Sequence, residues 1–349
     1  MLPGMLENAR RTITELRQGC RTGALSCCVR GQIEELTRKD SANGKPYWEL
    51  KLRDAADVLT LRAWADTAAF DSCAGLERGA CVEIEGEFLL NGSFGLDGRR
   101  WRVNPLAPDA AAALFSGTAQ EVAAMDGDLA CVRGFAEGLA DPRLRALSLL
   151  FLEDHGDRFR RAAAARVNHH AHRGGLLRHT AQMMRSAEAI SRVYPELNRD
   201  LLLAGVLFHD SGKLWEVCPP ELGFEMQRGI RGELLGHISI GIELVNALWR
   251  KLPLEGWKSL APASEDVRLH LLHLVAAHHG ELQFGSPVEP KTPEAVALHF
   301  VDNIDARLEM FAMAYARQPE IAPGIHERVR PLNASPVRPL ERVAQDQAF

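Results

Sequence analysis

The chain has 349 residues, a formal net charge of −5 and 25% charged residues, the composition of an ordinary soluble globular protein. This length allows two domains, and the net negative charge excludes a surface that is basic throughout, although a local basic track stays open. No run of eighteen apolar residues occurs, and the first residues lack the apolar core of a secretory signal, so we expect a cytoplasmic location. The seven cysteines include no CxxC pair, which argues against a disulfide framework and a zinc ribbon.

A short helix is predicted over residues 1–24, and alternating apolar and polar segments follow it. The predicted strands are ALSCCVRGQIEEL, YWELKLRD, DVLTLRAW, ACVEIEGEFLL and GRRWRV. Turn dipeptides of the hairpin kind, such as Asn43-Gly44 and Asp97-Gly98, separate them, and DTAAFDSCAGLERG predicts a helix between the third and fourth strands. This order is typical of an oligonucleotide/oligosaccharide-binding (OB) barrel. Residues 25–105 are therefore predicted to form a five-stranded OB-fold barrel.

The residue pattern changes after the last predicted strand. Residues 106–127 are rich in Ala, Pro and Gly and are interpreted as a linker with some helical content. From residue 128 to residue 317 the apolar spacing is helical throughout, which predicts an all-helical domain. The Pro- and Arg-rich residues 318–349 are expected to form a tail that packs locally or is disordered. The predicted fold class is multidomain, β followed by all-α.

Histidines are concentrated in the helical region, where eleven of the 13 fall between His169 and His299. The apolar segment from Asp200 to Lys213 predicts a buried helix that ends with His209 and Asp210. A buried aspartate is costly unless something neutralises it, and a metal ion does so. Further candidate ligands lie in other predicted helices, as in metal sites at the centre of helix bundles. They are His179, His237, His278, His279 and Asp302.

This ligand set combines imidazoles with carboxylates and contains no thiolate. It suits Mn, Fe, Zn, Co or Ni, and Mg less well. Two such ions can activate a water and clamp the oxygens of a phosphodiester, so phosphoryl hydrolysis is the expected chemistry. A lone histidine in a helix is more often a hydrogen-bonded core or surface residue, and a lone His-Asp pair is a weak signal. The combination of all these residues is far more specific than any one of them.

Several strings resemble one known family. They are GKPYWELKLRD (44–54), NHHAHRGGLLRHT (168–180), YPELNRDLLLAGVLFHDSGK (194–213), GHISIG (236–241) and HHGELQFGSPVEPKTPEAVALHFVDNIDA (278–306). In these strings the chain resembles the HD-domain metal-dependent phosphohydrolases, and among them the YhaM-type 3'-to-5' exoribonucleases, in order over residues 25–310. The resemblance implies an N-terminal OB barrel joined to a helical HD domain.

The resemblance also implies roles for the ligands. His179, the His209-Asp210 pair and Asp302 would hold the first divalent ion. His237 with one or both of His278 and His279 would hold the second, and Asp210 would bridge the two. Mn²⁺ is the first candidate ion, with Co²⁺, Fe²⁺, Ni²⁺ and Zn²⁺ as alternatives. The sequence does not decide between His278 and His279.

Candidate substrate-binding residues come from both regions. Lys213 follows Asp210 by one turn and is expected either to neutralise phosphate in catalysis or to complement the helix dipole. The segment leading to the first ligand contributes Arg173, together with His169 and His170, which are expected either to contact substrate phosphate or to orient the ligands. Residues 24–104 hold 11 Lys or Arg against 13 Asp or Glu, so stacking should matter as much as charge there. Its candidates are Tyr47, Trp64 and Arg100, with core packing as the alternative for the aromatic rings.

The expected function is that of a metal-dependent 3'-to-5' exoribonuclease acting on single-stranded RNA, with single-stranded DNA as an open alternative. A phosphohydrolase of nucleotides or cyclic dinucleotides also stays open, although HHGELQFGSPVEP lacks the Gly-Tyr-Pro element of the cyclic-dinucleotide branch. The third alternative is a non-catalytic nucleic-acid-binding module. No membrane partner is expected, and assembly into a homo-oligomer is left open.

Overall fold

The N-terminal region of the computed structural model is built on one sheet; the structure describes residues 9–55, 57–91, 95–166, 170–226 and 229–341. The strands are β1 (Arg10–Arg11), β2 (Leu25–Asp40), β3 (Pro46–Arg53), β4 (Val58–Trp64), β5 (Cys81–Asn91) and β6 (Gly95–Pro105). They pair antiparallel in the order β4-β3-β2-β5-β6, and β1 joins β2 in parallel. Two short helices accompany the sheet, α1 (Ile13–Gly19) and α2 (Ala68–Cys73).

Alternation of side chains builds the core of this sheet. In β2, Cys27, Val29 and Ile33 are buried while their neighbours are not, as a period of two requires. The predicted strands and the helix between the third and fourth of them are confirmed by β2 to β6 and α2. Within the described residues no hydrogen-bonded ladder joins β4 to β6, so the predicted closed barrel is not confirmed.

The rest of the chain is helical up to residue 317. The helices are α3 (Pro108–Ser116), α4 (Ala119–Glu137), α5 (Pro142–Arg161), α6 (Gly175–Val193), α7 (Arg199–Phe208), α8 (Ile230–Trp249), α9 (Ser264–Ala277) and α10 (Pro293–Arg317). The predicted linker over 106–127 contains α3 and the start of α4, while the domain boundaries themselves stay predictions. None of the described helices is long and apolar enough to cross a membrane.

Helix α7 lies at the centre of the helical core and contacts α6, α9 and α10. Every residue from Leu201 to Phe208 is buried. The helix begins at the Asn198 cap, whose side chain accepts a hydrogen bond from the Leu201 N–H. It ends at Phe208, so the prediction of one helix reaching Lys213 was wrong. There the Ser211 hydroxyl donates to the Phe208 carbonyl, and a 3₁₀ turn replaces the helix.

The described part of the predicted tail folds back onto α10. It contains strands β7 (Glu320–Ala322) and β8 (Ile325–His326). Leu332 is buried against Ala306 and Met310 of α10. We call residues 318–341 the C-terminal segment.

The sheet region is attached to the helical region by side chain to main chain hydrogen bonds. The Arg21 guanidinium donates to carbonyls at the end of α10, and the Gln32 side chain accepts from the Phe224 N–H. Arg78 and Glu225 add an ion pair between the two regions.

Candidate metal centre

Asp210 occupies the middle of a cluster of imidazoles. Its Oδ2 lies 3.3 Å from the Nε2 of His209, and its Oδ1 lies 3.4 Å from the Nε2 of His237 and 3.6 Å from the Nε2 of His278. The Nε2 of His179 lies 4.0 Å from the Oδ2 of Asp210 and 3.3 Å from the Oδ1 of Asp302. The two oxygens of one carboxylate therefore face two different groups of ligand atoms.

A hydrogen bond at Nδ1 fixes the direction of three of the rings. The Nδ1 atoms of His209 and His278 each lie 2.8 Å from a backbone carbonyl oxygen, those of Val206 and Val275. The Nδ1 of His279 lies 2.8 Å from another, that of Phe284. A ring that donates through Nδ1 carries its lone pair on Nε2, which leaves that atom free to bind a metal.

The unsatisfied atoms of the cluster fit a metal site. Within the described residues, the Nε2 atoms of His209, His237 and His278 and the Oδ1 of Asp210 are buried without a hydrogen-bond partner. Buried polar atoms are rarely left in that state. Ligand atoms that share one ion with bonds of about 2.1 Å lie roughly 3.0–3.4 Å apart, which the separations around Asp210 approach. The donor set can hold divalent ions.

Three triads of possible ligand atoms occur among the described residues. One is formed by His179, His209 and Asp210, another by His237, His278 and His279, and the third joins His179 to His170 and Asp305. His278 and His279 both belong to the second triad, so the geometry brings together both members of the pair that the sequence left undecided.

Electrostatics keep the central carboxylate ionised. Burial acts to raise the pKa of Asp210, but the Lys213 ammonium and the His209 imidazole outweigh it and hold that pKa well below its usual range. Burial acts to lower the pKa of His179, but Asp302 and Asp305 outweigh it and raise that pKa to about 9. The centre therefore contains ionised carboxylates, the state that binds cations.

The local backbone lets neighbouring residues share the site. Asp210 has left the helical conformation, with φ −107° and ψ 10°, so its carboxylate and the His209 ring both reach the cluster. Gly236, with φ 67° and ψ 162°, breaks α8 immediately before His237. At Gly212 an added Cβ would lie 1.9 Å from the His237 carbonyl oxygen, so only glycine permits this approach of α8.

The structure adds two carboxylates that the sequence reasoning missed. One Asp305 oxygen lies 2.7 Å from the Nδ1 of His179 and 3.0 Å from the Nε2 of His170. Glu216 lies 3.0 Å from the Nδ1 of His237. Such partners orient ligand imidazoles. Asp305 stands three residues after Asp302 on the same helix, a spacing that could have identified it, whereas no local signal marks Glu216.

The residues before the first ligand, predicted to contact substrate or to orient ligands, make contacts within the protein. His170 is buried and bonded to Asp305, so it has no surface to offer a phosphate. The Arg173 guanidinium donates to the carbonyls of Pro220, Glu221 and Gly223, and this holds a loop in place. The contact with Asp305 fits the expected role of His170 in orienting a ligand, and substrate binding by Arg173 stays a prediction. His169 lies outside the described residues.

Lys213 does lie at the centre. Its Nζ is 2.6 Å from Asp210 Oδ2, and both residues line a cavity of about 560 Å³ together with His278, His279 and Asp302. This is within the usual volume of a small-ligand pocket. A cation at this position can meet the charge of an entering phosphate.

The sheet residues lie apart from the centre. Tyr47 and Trp64 face each other across β3 and β4 with ring centroids 4.7 Å apart. Trp64 and Arg100 line a groove of about 750 Å³ between the ends of the sheet. Within the described residues no carboxylate lies within 4 Å of the exposed Arg100 guanidinium.

This chain is similar in sequence to known proteins. The HD domain family matches residues 176–307. A protein named 3'-5' exoribonuclease YhaM from Oceanobacillus iheyensis is 30% identical over 297 residues, 84% of this chain and 86% of that one. A protein of the same name from Halalkalibacterium halodurans is 30% identical over 309 residues, 86% of this chain and 89% of that one.

A solved structure of a replication factor A related protein from Methanobacterium thermoautotrophicum is 18% identical and covers 31% of this chain and 97% of its own, with a TM-score of 0.23 that does not establish a shared fold. The long matches to the two YhaM proteins do establish the family. By its sequence over most of its length and by its HD domain, this chain belongs to the family of the YhaM 3'-5' exoribonucleases.

Proposed function

We propose that this protein is a metal-dependent 3'-to-5' exoribonuclease that hydrolyses the phosphodiester bonds of single-stranded RNA, with single-stranded DNA as a further substrate to be tested. As a member of its family it is a hydrolase acting on phosphodiester bonds. The observation that carries the proposal is the convergence of buried imidazole Nε2 atoms, which have no hydrogen-bond partner among the described residues, on the two oxygens of Asp210.

Two divalent ions, Mn²⁺ first, are proposed for the centre. His179, His209 and Asp302 would hold one, His237 with His278 and His279 the other, and Asp210 would bridge them. When bound, such a pair supplies the positive charge that activates water and clamps the phosphate oxygens.

The chain's own residues have separate tasks in the reaction. Hydrolysis joins a water oxygen to phosphorus, breaks the bond from phosphorus to the leaving sugar oxygen, and gives that oxygen a proton. Lys213 lies in the cavity beside Asp210 and places its ammonium charge where the phosphate enters. Asp305 and Glu216 hold His179 and His237 in their ring orientations.

The sheet is proposed to be an OB-type module, with residues 25–105 as its bounds, that holds the strand upstream of the cleaved end. Its groove combines the Trp64 ring with the guanidinium of Arg100, and Tyr47 packs behind Trp64. Aromatic stacking with a nearby positive charge binds single strands without reading their sequence.

Incubation of the purified protein with Mn²⁺ and a 5'-labelled single-stranded RNA tests the proposal. We expect a ladder of shortened products and the release of mononucleotides, and loss of both after EDTA treatment. A parallel panel of nucleotides and cyclic dinucleotides should stay intact. Absence of RNA products from protein shown to contain metal would overturn the proposal.

Asp210→Asn provides the matched variant because it keeps the side-chain volume and removes the bridging charge. We expect kcat to fall by roughly 1,000-fold, since several kcal/mol of charge stabilisation would be lost. Binding of RNA, measured by fluorescence anisotropy, should change little because the sheet is untouched. Equal activity of the variant and the wild type would exclude the centre from the chemistry.

A further inference from the structure

The cavity over the metal centre has a wall that the ligands do not supply. Besides Asp210 and Lys213 it is lined by Asn303 and Arg307 of α10 and by residues 331–333 of the C-terminal segment. Asn303 and Arg307 are polar. Residues 331–333 belong to a segment outside the part of the chain that matches the HD domain, because that match ends at residue 307. The proposed catalytic roles do not use any of them.

Helix α10 presents two different faces at this point. Asp302 and Asp305, three residues apart, contact His179 on the side of the metal centre. Asn303 and Arg307, four residues apart, form a neighbouring row, and the Arg307 guanidinium donates to the Asn303 side chain. Within the described residues no carboxylate lies within 4 Å of the Arg307 guanidinium, which leaves its charge available to an anion.

The C-terminal segment is held against the same helix. Leu332 is 5% exposed and packs on Ala306 and Met310, so its neighbour Asn333 is fixed beside the cavity. The Tyr315 hydroxyl donates to the Val337 carbonyl, and the Arg338 N–H donates to the Gly324 carbonyl. These contacts make the segment an ordered wall of the cavity.

We propose that Arg307, Asn303 and Asn333 form the subsite for the 3'-terminal nucleotide, and that residues 331–333 close the end of the cavity beyond it. Arg307 binds a phosphate oxygen of that nucleotide, and the two amides bind its sugar or base. A cavity with a wall at one end admits the end of a chain and obstructs a chain that must pass through it. The C-terminal segment thereby makes the centre act on ends rather than on internal bonds.

This inference rests on the proposed function, and the substrates of the test separate the two. A linear RNA is labelled with fluorescein at its 5' end or at its 3' end, and a circular RNA of the same sequence is added as a third substrate. We expect the wild type to degrade the 5'-labelled RNA, to leave the circle intact, and to act at least 10-fold more slowly on the 3'-labelled RNA. Failure on the 5'-labelled RNA contradicts the proposed function, whereas equal rates on the two linear RNAs contradict only the closed subsite.

Variants test the residues directly. Arg307→Ala is expected to raise KM for RNA and the Kd for AMP, measured calorimetrically, by roughly 10- to 100-fold, the effect of losing a charge-assisted hydrogen bond. Asn333→Ala, at an exposed position, should raise both by about 5-fold, the effect of a neutral hydrogen bond. Arg328→Ala is the matched control, since this exposed arginine of the same segment lies outside the cavity lining. Unchanged AMP binding in both test variants would overturn the subsite.

Leu332→Asp places a charge against Ala306 and Met310 and should detach the wall. We expect this variant to degrade the 3'-labelled RNA at a rate close to that for the 5'-labelled RNA and to begin cutting the circle. A variant that keeps the wild-type melting temperature and still discriminates between the two labels would show that the wall does not close the site. If Leu332→Asp does not fold, the rates of the wild type on the two labelled RNAs still test whether residues 331–333 obstruct the end of the cavity.

Discussion

The polar groups of the helical centre and those of the sheet differ in how they are paired. On the sheet, acidic and basic side chains pair with one another across neighbouring strands, as Arg30 and Glu83 do at 2.7 Å. In the helical centre, the buried Nε2 atoms of His209, His237 and His278 converge on one carboxylate, and none of them has a hydrogen-bond partner among the described residues. In the described part of the sheet, most charges therefore have a protein partner, with Arg100 as an exception, whereas the centre gathers buried polar atoms that a bound cation would satisfy.

This contrast shows where a ligand can be inferred from the protein alone. A paired surface charge carries no information about a partner, because it is already satisfied. A buried polar atom without a hydrogen-bond partner lowers the stability of the fold. Such an atom therefore indicates a place where a ligand binds. Five predictions test how far the contrast between the interior and the surface holds.

The largest effect is expected at a buried ion pair in the helical region. Arg143 has a side chain only 2% exposed, and Asp141 binds it at 2.7 Å while also capping α5. Asp141→Ala would leave the guanidinium buried without its carboxylate, which should lower the free energy of unfolding by about 3–5 kcal/mol. Urea denaturation at pH 6 measures this loss.

The same pair has a defined pH dependence. Burial acts to raise the pKa of Asp141, but hydrogen bonds from Arg143 outweigh it and lower that pKa below its usual value of 3.8. A lowered pKa stabilises the fold above the unfolded-state value, and the contribution is lost as the pH falls through the folded-state value. The difference between wild type and Asp141→Ala should therefore shrink below pH 4, and an equal difference at pH 6 and pH 3 would contradict the assignment.

A smaller effect is expected where a carboxylate only orients a ligand. Asp305→Asn should weaken Mn²⁺ binding by roughly 10- to 100-fold, because His179 would lose the charged partner that fixes its ring. Calorimetric titration of the metal-free protein measures this change. Asp266→Asn, on the exposed first turn of α9, is the control. If both variants bind Mn²⁺ as the wild type does, Asp305 has no part in the centre.

On the sheet, loss of one ring should affect binding rather than chemistry. Trp64→Ala is expected to weaken RNA binding by about 5- to 100-fold, the range for one stacked base, with kcat unchanged. Fluorescence anisotropy with a labelled single strand measures the affinity. Tyr194→Ala removes a ring that is 53% exposed in the helical region and should have no effect. An unchanged affinity for Trp64→Ala would remove this groove from the path of the RNA.

The smallest effect is expected at the paired surface of the sheet. Glu83→Ala breaks the ion pair with Arg30, whose side chain is 24% exposed, and should change the free energy of unfolding by less than about 1 kcal/mol. The urea experiment used for Asp141→Ala measures it. A loss as large as that of Asp141→Ala would remove the distinction between interior and surface charges.

The sequence predicts those elements of this molecule whose apolar residues recur at a regular spacing. The alternation of Cys27, Val29 and Ile33 places β2, and the continuous apolar run from Leu201 to Phe208 places α7 in the core. The ligand types could also be predicted, because several histidines and aspartates spread over separate apolar helices are far more specific together than any one of them is alone. Their roles as ligands stay proposals until metal binding is measured.

The parts that depend on contacts between distant residues could not be predicted. The end of α7 at Phe208 depends on the Ser211 hydroxyl and on the packing of α8, and a helical pattern continues past it. Arg173 resembles a phosphate ligand in sequence, but its partners are carbonyls some fifty residues away. Pairing at the edges of the sheet likewise depends on the curvature of β2 and β5, each of which has a register shift.

The contact between Gly212 and the main chain of His237 has a consequence for changing the metal preference. Here main chain packs directly against main chain, so this contact between the two groups of ligands does not involve a ligand side chain. Imidazoles could therefore be exchanged for carboxylates one at a time, to favour a harder ion, while the contact is kept. A methyl group at residue 212 would do the reverse, because every ligand would keep its identity while the two groups were pushed apart.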